Sequence, residues 1–400
     1  MNWKPNALLF LTLIFLILSC GKDLVKSEPN NDNVVLQEQY KVILEKAFGG
    51  AHDEFGNDIL EMDNGDLLLI GQTYESGDGK SDVILIRINI DGEEIWKKTY
   101  GGESHDQLLG IEETEEGNFI LVTSTREEGD SFLNLTKLDD KGNEIWQRKH
   151  KGLTHNVIST KDGGLAYLEK LDYPSGLLDY IFYFADVAIV KLNSNGKVEW
   201  KSTIANVNVL SNNICFLQKE NGEFIISSSV FHADKPSGEF SLIRISEDGM
   251  ATETNPIQIE RWVGYTSLVE TRLGDYVLLS TTNLLDGSLA LIADLINNKG
   301  IVLNTSNIPG RIYANSLIPV GNDYLITGVQ YETQTSPQMI YLGQLSEDLQ
   351  FTEMYFNLPL NANYAYSAVA HENGDLSIIG YTKLIGNGYY DVYYLSLKPE

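Results

Sequence analysis

The sequence predicts an all-β fold, a seven-bladed β-propeller with four-stranded blades whose last blade is closed by the N-terminal strand. Three observations lead to this prediction. A turn glycine followed by an apolar run recurs seven times along the 400 residues. Each copy is followed by a second apolar run that ends in a polar turn. The seventh unit stops after its third strand, and a segment ahead of the first unit resembles the strand that is missing.

The glycine turn is the most regular feature. It occurs in stretches such as "NGDLLLIG" and "NGDLSIIG", at Gly65, Gly117, Gly163, Gly222, Gly274, Gly321 and Gly374. Successive copies are 52, 46, 59, 52, 47 and 53 residues apart, and repeats of roughly 40–50 residues with four strands are typical of propeller blades. Asn-Gly and Asp-Gly between β-runs predict hairpins with primed turns, because those turns need positive φ.

The fourth strand of a unit carries a recurring phrase with a large aromatic residue. The phrase is "GEEIWKKTYGG" at 92–102 and "GNEIWQRKHKG" at 142–152, with Trp96, Trp146 and Trp200 in the first three units. We expect this phrase to form the outermost strand of each blade. Its aromatic side chain is expected to pack between neighbouring blades, where burial of an aromatic side chain stabilises most. Many other runs are almost continuously apolar, which indicates strands covered on both faces.

The ends of the chain predict how the ring closes. Residues 42–50, "VILEKAFGG", match "EIWKKTYGG", with Phe48 in the place of Tyr100. This strand is expected to complete the last blade and to pair an edge that would otherwise stay open. A solenoid is the alternative, but solenoids need polar capping repeats. Within a propeller domain of residues 40–400, the predicted blades are 53–102, 103–152, 153–206, 207–262, 263–308, 309–357, and 358–398 with strand 40–50.

The first 39 residues are predicted to lie outside the propeller. Lys4 and the apolar run "ALLFLTLIFLIL" indicate a signal peptide over residues 1–19, because the run is too short for an ordinary membrane span. The ending "LSC" resembles the lipobox of bacterial lipoproteins, and this resemblance implies that Cys20 is diacylated on sulfur and becomes the mature N-terminus. Residues 20–39 then form the lipidated cysteine and a polar tether. An ordinary secretory signal is the alternative.

The lipoprotein resemblance implies a location in the bacterial cell envelope. We expect acyl chains to hold the protein on a membrane, foremost the outer membrane, facing the periplasm or the cell surface. The balance of 29 Lys and Arg against 56 Asp and Glu argues against nucleic acid as a partner, because an acidic surface repels phosphate backbones. Cys215 is expected to be a small buried hydrophobic residue. The domain is predicted to be a monomer.

The repeats also resemble known propeller families. The pattern D-x-x-G-x-x-x-W from Asp139 to Trp146 is similar to the repeats of PQQ-like propellers. Residues 81–102 and 132–152 are similar to repeats of bacterial lipoproteins that are mostly uncharacterised. A quinoprotein dehydrogenase would carry a cofactor-stacking tryptophan and calcium-binding carboxylates, with a vicinal cysteine pair in some members. The chain has no cysteine pair, and its tryptophans have other positions, so no cofactor is predicted.

Three histidines lie in the predicted connections from an outer strand to the next inner strand. They are His52, His105 and His155, followed by Asp53, Asp106 and Asn156. An arc of such residues around the channel mouth could contact a polar ligand. Zinc needs nitrogens about 2.0–2.1 Å from one centre, whereas equivalent positions on neighbouring blades diverge, so no metal site is predicted. The alternative is a structural role, similar to that of a histidine near this connection in WD-type propellers.

An insertion in the third unit supplies two further ligand-binding candidates. Residues 171–186, "LDYPSGLLDYIFYFAD", lie between the second and third predicted strands and are rich in aromatic residues. Tyr180 and Tyr183 could stack on sugar rings or anchor a protein partner, because exposed aromatic side chains dominate many interfaces. The alternative is a long hairpin whose aromatic side chains fold back on their own blade.

The motifs of common enzyme classes are absent from the sequence. It contains no G-x-S-x-G, no H-E-x-x-H and no P-loop. We therefore predict a lipid-anchored binding or scaffold module that contacts an envelope protein or a glycan through its channel-mouth face. One alternative is a hydrolase or lyase acting on polysaccharide with acid and base residues in the channel mouth. Another is an outer-membrane assembly scaffold that resembles PQQ-like propellers but lacks their cofactor.

Overall fold

The computed structural model is an all-β propeller, which confirms the predicted fold class. The residues that the structure describes are 38–74, 81–114, 116–127, 130–151, 153–171, 184–208, 214–232, 235–257, 259, 266–283, 289–331, 338–356, 363–383, 386 and 390–399. They form 28 strands and no helix, within a compact unit that spans residues 36–400. No described segment is a helix with the length and hydrophobicity needed to cross a membrane.

The first six blades are antiparallel sheets of four consecutive strands, from the innermost to the outermost. Blade 1 contains β2 (Asp53–Glu61), β3 (Leu67–Tyr74), β4 (Ser81–Ile88) and β5 (Glu94–Tyr100). Blade 2 contains β6 (Asp106–Glu113), β7 (Phe119–Glu127), β8 (Asp130–Leu138) and β9 (Glu144–Lys151). Blade 3 contains β10 (Leu153–Ser159), β11 (Leu165–Lys170), β12 (Phe184–Leu192) and β13 (Val198–Asn208).

The next three blades repeat this order. Blade 4 contains β14 (Cys215–Gln218), β15 (Phe224–His232), β16 (Lys235–Ile245) and β17 (Ala251–Pro256). Blade 5 contains β18 (Thr266–Glu270), β19 (Tyr276–Asn283), β20 (Leu289–Ile296) and β21 (Val302–Ile308). Blade 6 contains β22 (Ile312–Val320), β23 (Asp323–Tyr331), β24 (Gln338–Leu345) and β25 (Phe351–Phe356).

Blade 7 joins the two ends of the chain, as predicted. It contains β26 (Asn363–Ala370), β27 (Leu376–Thr382), β28 (Asp391–Pro399) and, outermost, β1 (Glu38–Phe48). Strand β1 runs antiparallel to β28, and Phe48 lies opposite Val392 as Tyr100 lies opposite Val83 in blade 1. The beginning of β1 also pairs in parallel with the end of β25 in blade 6. One strand therefore closes blade 7, as predicted, and also ties it to blade 6 through a parallel contact that was not predicted.

The seven predicted turn glycines all have positive φ, between 62° and 85°. The predicted turn type is wrong in six of the seven blades. In blade 1, Gly65 donates its N–H to the carbonyl of Met62 at 2.8 Å, and Met62 donates to the carbonyl of Asp66 at 2.9 Å. This pattern is a three-residue loop with a left-handed glycine at its end, which favours a single glycine rather than two residues with positive φ. Only the turn after β22 is a two-residue loop.

The hydrophobic core is divided among the seams between blades. In the described part of the chain, seven apolar clusters fill the seven seams. The seam between blades 1 and 2, for example, packs Ile70 and Leu85 against Phe119 and Leu121. Second and third strands are apolar along their length because a seam lies on each of their faces. Full burial of such a side chain stabilises by about 1.5–3 kcal/mol.

The tryptophans of the outer strands pack against the next blade, as predicted. The Trp96 ring lies beside Gly142, in the turn between the third and fourth strands of blade 2. Its Nε1 donates to the carbonyl of Asp140 at 3.4 Å, and the Tyr100 hydroxyl donates to the carbonyl of Gly142 at 2.7 Å. Trp146 and Trp200 lie beside the equivalent glycines of blades 3 and 4, which are Gly196 and Gly249.

The alternating strand directions give the propeller two different faces. The turns between first and second strands, and between third and fourth strands, lie on one face, here named the turn face. The connections between second and third strands, and those from blade to blade, lie on the channel-mouth face. First strands are innermost and line the channel. A side chain at the start of a first strand or at the end of a second strand therefore lies near the channel mouth.

Candidate functional site at the channel mouth

Asp106, one of the predicted ligand-binding residues, makes hydrogen bonds inside blade 2. It is buried at the start of β6. Its Oδ2 accepts a hydrogen bond from the backbone N–H of Gly102 at 3.0 Å, and its Oδ1 accepts one from the hydroxyl of Thr125. The carboxylate therefore holds the glycine connection that leads into blade 2 and ties it to the second strand.

Glu54 has the same place in blade 1. Its carboxylate accepts hydrogen bonds from the N–H of Gly50 at 3.3 Å and from the hydroxyl of Thr73 at 3.4 Å. Burial raises the pKa of Glu54, and the nearby charge of Asp391 adds to this effect. Glu54 was not among the residues predicted from the sequence. The signal that could have found it is an acid four residues after the second glycine in each of the first two connections.

This correspondence changes the alignment of the predicted histidines. Because Glu54 takes the place of Asp106, His105 aligns with Asp53 and not with His52. The sequence alignment placed the histidines together, whereas the hydrogen bonds and strand register separate them by one position. The two histidines do not occupy equivalent positions on neighbouring blades.

These residues nevertheless lie on the channel-mouth face. His52 is half-buried in the connection before β2, and His105 is exposed before β6. The Nδ1 atom of His105 lies 3.5 Å from the hydroxyl oxygen of Ser81. Asp53 accepts a hydrogen bond through Oδ1 from the backbone N–H of Tyr390 at 3.2 Å. Ligand contact by these side chains stays a prediction.

The remaining predicted residues are described in part or not at all. His155 and Asn156 lie in a bulge of β10, between Thr154 and Val157, and their side chains lie outside the described residues. Also outside the described residues are Cys20, Tyr180 and Tyr183.

The channel mouth between blades 7 and 1 carries an aromatic cluster that the sequence analysis missed. We define the aromatic cluster as Phe55, Tyr74, Tyr364, Tyr366, Tyr381 and Tyr390. Phe55 and Tyr74 lie in blade 1, and the other four lie in blade 7. The cluster therefore crosses the seam at which the two ends of the propeller meet.

Tyr381, at the end of β27, is the centre of the aromatic cluster. Its ring stacks on Tyr364 with centroids 4.1 Å apart and an interplanar angle of 21°. The rings of Phe55 and Tyr390 meet it edge to face, at 4.9 Å and 5.3 Å. The ring of Tyr366 lies 5.8 Å away. Edge-to-face and offset-stacked pairs are the favourable aromatic geometries, so the cluster is held rigidly.

Phe55 carries the cluster towards solvent. Its ring lies 4.8 Å from Tyr390 and 5.5 Å from Tyr74, which is 36% exposed. The remaining rings of the cluster are half-buried rather than fully enclosed. Part of the aromatic surface is thus open to a ligand at the mouth of the channel.

A short recurring motif places these rings. The first strands of blades 6, 7 and 1 contain "YANS" at 313–316, "YAYS" at 364–367 and "FGND" at 55–58. In each, an aromatic residue and a small residue precede a bulge in the pairing to the second strand. The small residue and the glycine opposite it leave room for the bulge. This motif is the sequence signal that could have located the cluster.

The opposite glycine is required by close backbone contact. A Cβ atom on Gly380 would overlap the carbonyl oxygen of Tyr364, and one on Gly71 would overlap that of Phe55. The second strand therefore approaches the aromatic residue of the first strand more closely than a residue with a Cβ atom would allow.

Polar residues of the same motif join the blades around the channel. Asn315 in blade 6 donates through Nδ2 to the carbonyl of Ala365 in blade 7 at 2.7 Å. The carboxyl of Asp58 in blade 1 is hydrogen-bonded to the side chain of Ser367 in blade 7. These bonds connect three consecutive blades directly beneath the aromatic cluster, so its rings are mounted on a rigid base.

The hydroxyls of Tyr364 and Tyr381 stay protonated at neutral pH. Burial raises the pKa of Tyr381, and the neighbouring hydroxyls of Tyr366 and Tyr364 add to the increase. Burial also raises the pKa of Tyr364. Such hydroxyls can both donate and accept hydrogen bonds. Lys383 lies with its ammonium 4.4 Å from the ring centroid of Tyr390, a cation–π contact at the edge of the cluster.

Two carboxyl groups on first strands, farther from the mouth, also have shifted pKa values. Burial raises the pKa of Asp58 and that of Glu112, which is hydrogen-bonded to Ser159 of blade 3. The charge of Asp58 raises the pKa of Glu112 further. In the described residues, no group of three or more His, Cys, Asp or Glu side chains is arranged to hold a metal ion.

A Ser–His–Glu arrangement on the turn face has the distances of a catalytic triad. Nε2 of His371 lies 2.8 Å from Oγ of Ser377, and Nδ1 lies 2.8 Å from Oε1 of Glu61. Ser377 is 0% exposed, and its hydroxyl also lies 3.1 Å from that of Tyr394. A nucleophile must reach the substrate, and a fully buried serine does not. The arrangement instead connects blade 7 to blade 1.

The propeller is shared with solved structures of low sequence identity. A protein of unknown function from Dyadobacter fermentans is 10% identical, with a TM-score of 0.52 over 90% of this chain and 99% of that chain. The polysaccharide lyase Uly1 is 14% identical, with a TM-score of 0.52 over 88% and 91%. BBS1N, in complex with ARL6DN, is 9% identical, with a TM-score of 0.53 over 91% and 98%.

At these identities, the likeness shows the fold alone, because one fold carries many functions. No family model matches the chain, and no curated protein matches it in sequence.

Proposed function

We propose that this protein is a lipid-anchored binding module of the bacterial cell envelope that binds a glycan at the aromatic cluster of its channel-mouth face. The observation that carries the proposal is the cluster itself. Five tyrosines and a phenylalanine cross one seam, make mutual ring contacts of 4.1–5.8 Å and leave part of their surface open.

The chemistry of the cluster suits a sugar ring. A pyranose has a face of C–H groups, which packs on an aromatic ring, and an edge of hydroxyls, which needs hydrogen-bond partners. Tyrosine offers both an apolar ring and a polar tip. Asp53, whose carboxylate lies beside Tyr390, adds an acceptor at the same place. Binding sites for small ligands combine apolar walls with a few polar groups in this way.

The charge of the protein narrows the class of glycan. The chain has a formal net charge of −27, and a field of this sign disfavours polyanions. Lys383 is the cation that the structure places on the cluster, and it already lies over Tyr390. A neutral oligosaccharide is therefore the expected ligand rather than a polyuronate or a sulfated polymer.

The rigidity of the base favours affinity. Asn315 and Asp58 fix the first strands of neighbouring blades to blade 7. Groups that are ordered before binding lose less conformational entropy when the ligand arrives. A rigid aromatic surface can thus bind its ligand without a change in its own conformation.

The test is direct binding to an array of neutral and anionic oligosaccharides. The protein is expected to bind neutral members, and Tyr74→Ala should weaken that binding. An aromatic contact contributes about 0.5–1.5 kcal/mol, which corresponds to about 2- to 12-fold in Kd. Leu273→Ala is the control, since Leu273 is 83% exposed in a turn on the opposite face. Equal loss in both variants, or no glycan binding at all, would contradict the proposal.

The lipid anchor has its own test. The lipobox-like ending "LSC" supports acylation of Cys20. In cells fed a labelled fatty acid, the wild type should carry the label and fractionate with membranes. Cys20→Ser should lose the label and leave the membrane fraction. A labelled Cys20→Ser variant would show that the anchor lies elsewhere.

A polysaccharide-active enzyme is the second candidate, supported by two carboxyls on the first strands that line the channel. Acids with raised pKa are candidates for general acids, and Asp58 and Glu112 have this property. Incubation with glycans that bind should then release reducing ends or new unsaturated sugars. Asp58→Asn and Glu112→Gln should each abolish that release without abolishing binding. Binding without any release would leave the binding module as the function.

A further inference from the structure

The outer-strand tryptophans of blades 1 and 2 are each covered by a cation of their own strand. The ammonium of Lys98 lies 6.0 Å from the ring centroid of Trp96. The guanidinium of Arg148 lies 5.2 Å from that of Trp146. In both cases the cation comes two residues after the tryptophan, and these distances are those of cation–π contacts. The repeat therefore has a position whose function is to cover the indole face.

Blade 3 lacks that cation. The residue two positions after Trp200 is Ser202, and its place opposite Ile189 matches that of Arg148 opposite Leu135 in blade 2. Trp200 still packs against Gly249 of the next blade and edge to face with Phe224, at 5.7 Å. Throughout the described ranges, no Lys or Arg lies over the Trp200 ring.

The uncovered ring borders an open groove of about 570 Å³ between blades 3 and 4. The groove is lined by Glu199, Trp200, Ser246, Glu247 and Asp248. Three of the five lining side chains are carboxylates. The seam that lacks its own cation thus has three carboxylates around the uncovered indole face.

Blade 3 also differs from blades 1 and 2 at the position of Glu199. It lies in the bulge of the outer strand, where blades 1 and 2 have Ile95 and Ile145. Those isoleucines are 50% and 52% exposed. Blade 3 therefore has an acid where its neighbours have an exposed aliphatic side chain, so the change extends beyond the loss of one cation.

Lys191, which is paired with Glu199 of the groove, does not neutralise it. The ammonium of Lys191 is buried and lies 2.7 Å from Asp162 and 3.1 Å from Glu199. It also donates to the carbonyl of Leu192 at 2.9 Å. Its charge is thus shared between two acids.

We propose that this groove binds an arginine side chain of a basic segment in a partner polypeptide. The guanidinium would lie over Trp200 as Arg148 lies over Trp146, and its N–H groups would donate to the surrounding carboxylates. Arginine fits better than lysine, because its planar fork stacks on an aromatic face and pairs with carboxylates at the same time. This surface is distinct from the aromatic cluster and does not depend on glycan binding.

The proposal is tested with a short Arg-Gly repeat peptide titrated into the protein at low salt, by calorimetry. The same peptide with citrulline, which is isosteric with arginine but neutral, is the ligand control. We expect the arginine peptide to bind at least 10-fold more tightly than the citrulline peptide. Equal binding of the two would overturn the proposal.

Variants separate the groove from the general attraction of an acidic protein for a basic peptide. Ser202→Arg restores the internal cation of blades 1 and 2 and should weaken peptide binding at least 10-fold. Ser194→Arg, in an exposed turn of blade 3, makes the same charge change and should weaken it less than 2-fold. Ser202→Gln, which is long but neutral, should retain most of the affinity.

Equal effects of Ser202→Arg and Ser194→Arg would show that the peptide senses only net charge, and would overturn the site. Glu247→Gln combined with Asp248→Asn offers a second route that leaves the tryptophan in place. It should weaken the arginine peptide about 10-fold and leave the citrulline peptide unchanged. Unaltered affinity in that variant would also contradict the proposal.

Discussion

Nδ1 of His371 lies 2.8 Å from Oε1 of Glu61, and the two residues belong to the last and the first blade of the propeller. The same imidazole reaches the buried hydroxyl of Ser377 through Nε2. One side chain thus connects the interior of blade 7 to the start of the ring, on the face opposite the aromatic cluster. The seam between blades 7 and 1 is held at both faces.

His371→Ala is expected to destabilise the protein. It leaves the hydroxyl of Ser377 with one partner fewer in a buried place, and loss of a partner for a buried polar group costs about 1–3 kcal/mol. Chemical denaturation measures the change in the free energy of unfolding. Glu116→Ala, which removes an exposed ion pair with Lys137, should cost much less, because exposed ion pairs contribute little to stability. Similar values for the two variants would contradict the role of His371 in the seam.

Gly142→Ala should destabilise more than Gly117→Ala. The two glycines have almost the same φ, 70° and 71°, so the strain of a left-handed alanine is matched at about 1–2 kcal/mol. A Cβ on Gly142 would lie 2.7 Å from the Tyr100 hydroxyl and 3.0 Å from the Trp96 ring, whereas one on Gly117 meets nothing within 4 Å. Overpacking adds about 1–3 kcal/mol. Equal free energies of unfolding would show that Trp96 and Tyr100 accommodate the added methyl group without loss of stability, and would contradict the prediction.

Removal of β1 should abolish the closed ring. A chain without residues 1–48 lacks the outer strand of blade 7 and the parallel contact with β25. It leaves an open edge on β28, and open edges promote aggregation. A chain without residues 1–37 keeps both contacts and is the matched control. Size-exclusion chromatography and thermal unfolding should give a cooperative monomer for the control and aggregates for the shorter chain. A cooperative monomer from both would contradict the closing role of β1.

Asp106→Ala and His105→Ala should differ sharply, although the two residues are adjacent. Asp106→Ala removes the acceptor of Gly102 and Thr125 in a buried place, at a cost of about 1–3 kcal/mol. His105 is exposed, and substitution of such a residue changes stability by about 0.5 kcal/mol or less. Thermal unfolding decides between them. A large loss for His105→Ala would show a structural role for the histidine that its exposure does not indicate.

The half-buried acids Asp58 and Glu112 should make stability fall as pH rises. Burial raises the pKa of Asp58 above its ordinary value of 3.8, so the folded protein holds this proton more tightly than the unfolded chain. The corresponding stability is complete below pH 3.8 and is lost as pH rises through the raised value in the folded state. Asp58→Asn removes this loss. Its advantage over the wild type in the free energy of unfolding should therefore grow from pH 4 to pH 7.

Glu116 serves as the control for that pH dependence. Hydrogen bonding and the charge of Lys137 lower the pKa of Glu116. The contribution of Glu116 to stability therefore changes with pH in the opposite direction to that of Asp58. Its contribution is present above the ordinary value of 4.5 and is lost as pH falls through the lowered value. Glu116→Gln should show a small difference from the wild type that runs against the direction of Asp58→Asn. The same direction in both variants would contradict burial as the cause at Asp58.

The fold could be predicted from local features. Each blade repeats a glycine turn and apolar runs within about 50 residues, and the match of Phe48 with Tyr100 predicted the closing strand. The type of turn could not be predicted, because Asn-Gly fits both two-residue and three-residue loops. The parallel contact of β1 with β25 arises from packing at the seam, and we find no sequence pattern that predicts it.

The candidate site was harder to predict than the fold. Histidines were chosen for their chemistry, but the alignment that joined His52 to His105 was one residue out, and a shift of one residue changes which face a strand residue occupies. The aromatic cluster escaped because its members are distributed over four strands and one connection. The signal in the sequence is the motif of an aromatic residue followed by a small one, which occurs at Phe55 and Tyr364.

By itself the sequence determined how many blades there are, where the left-handed glycines fall and which strand completes the ring, because each follows from short-range periodicity in the chain. Only the tertiary structure decided that Phe55 meets Tyr381 and that Glu61 meets His371. Both contacts join opposite ends of the chain, and the neighbours of a side chain across a seam are set by packing rather than by its own repeat.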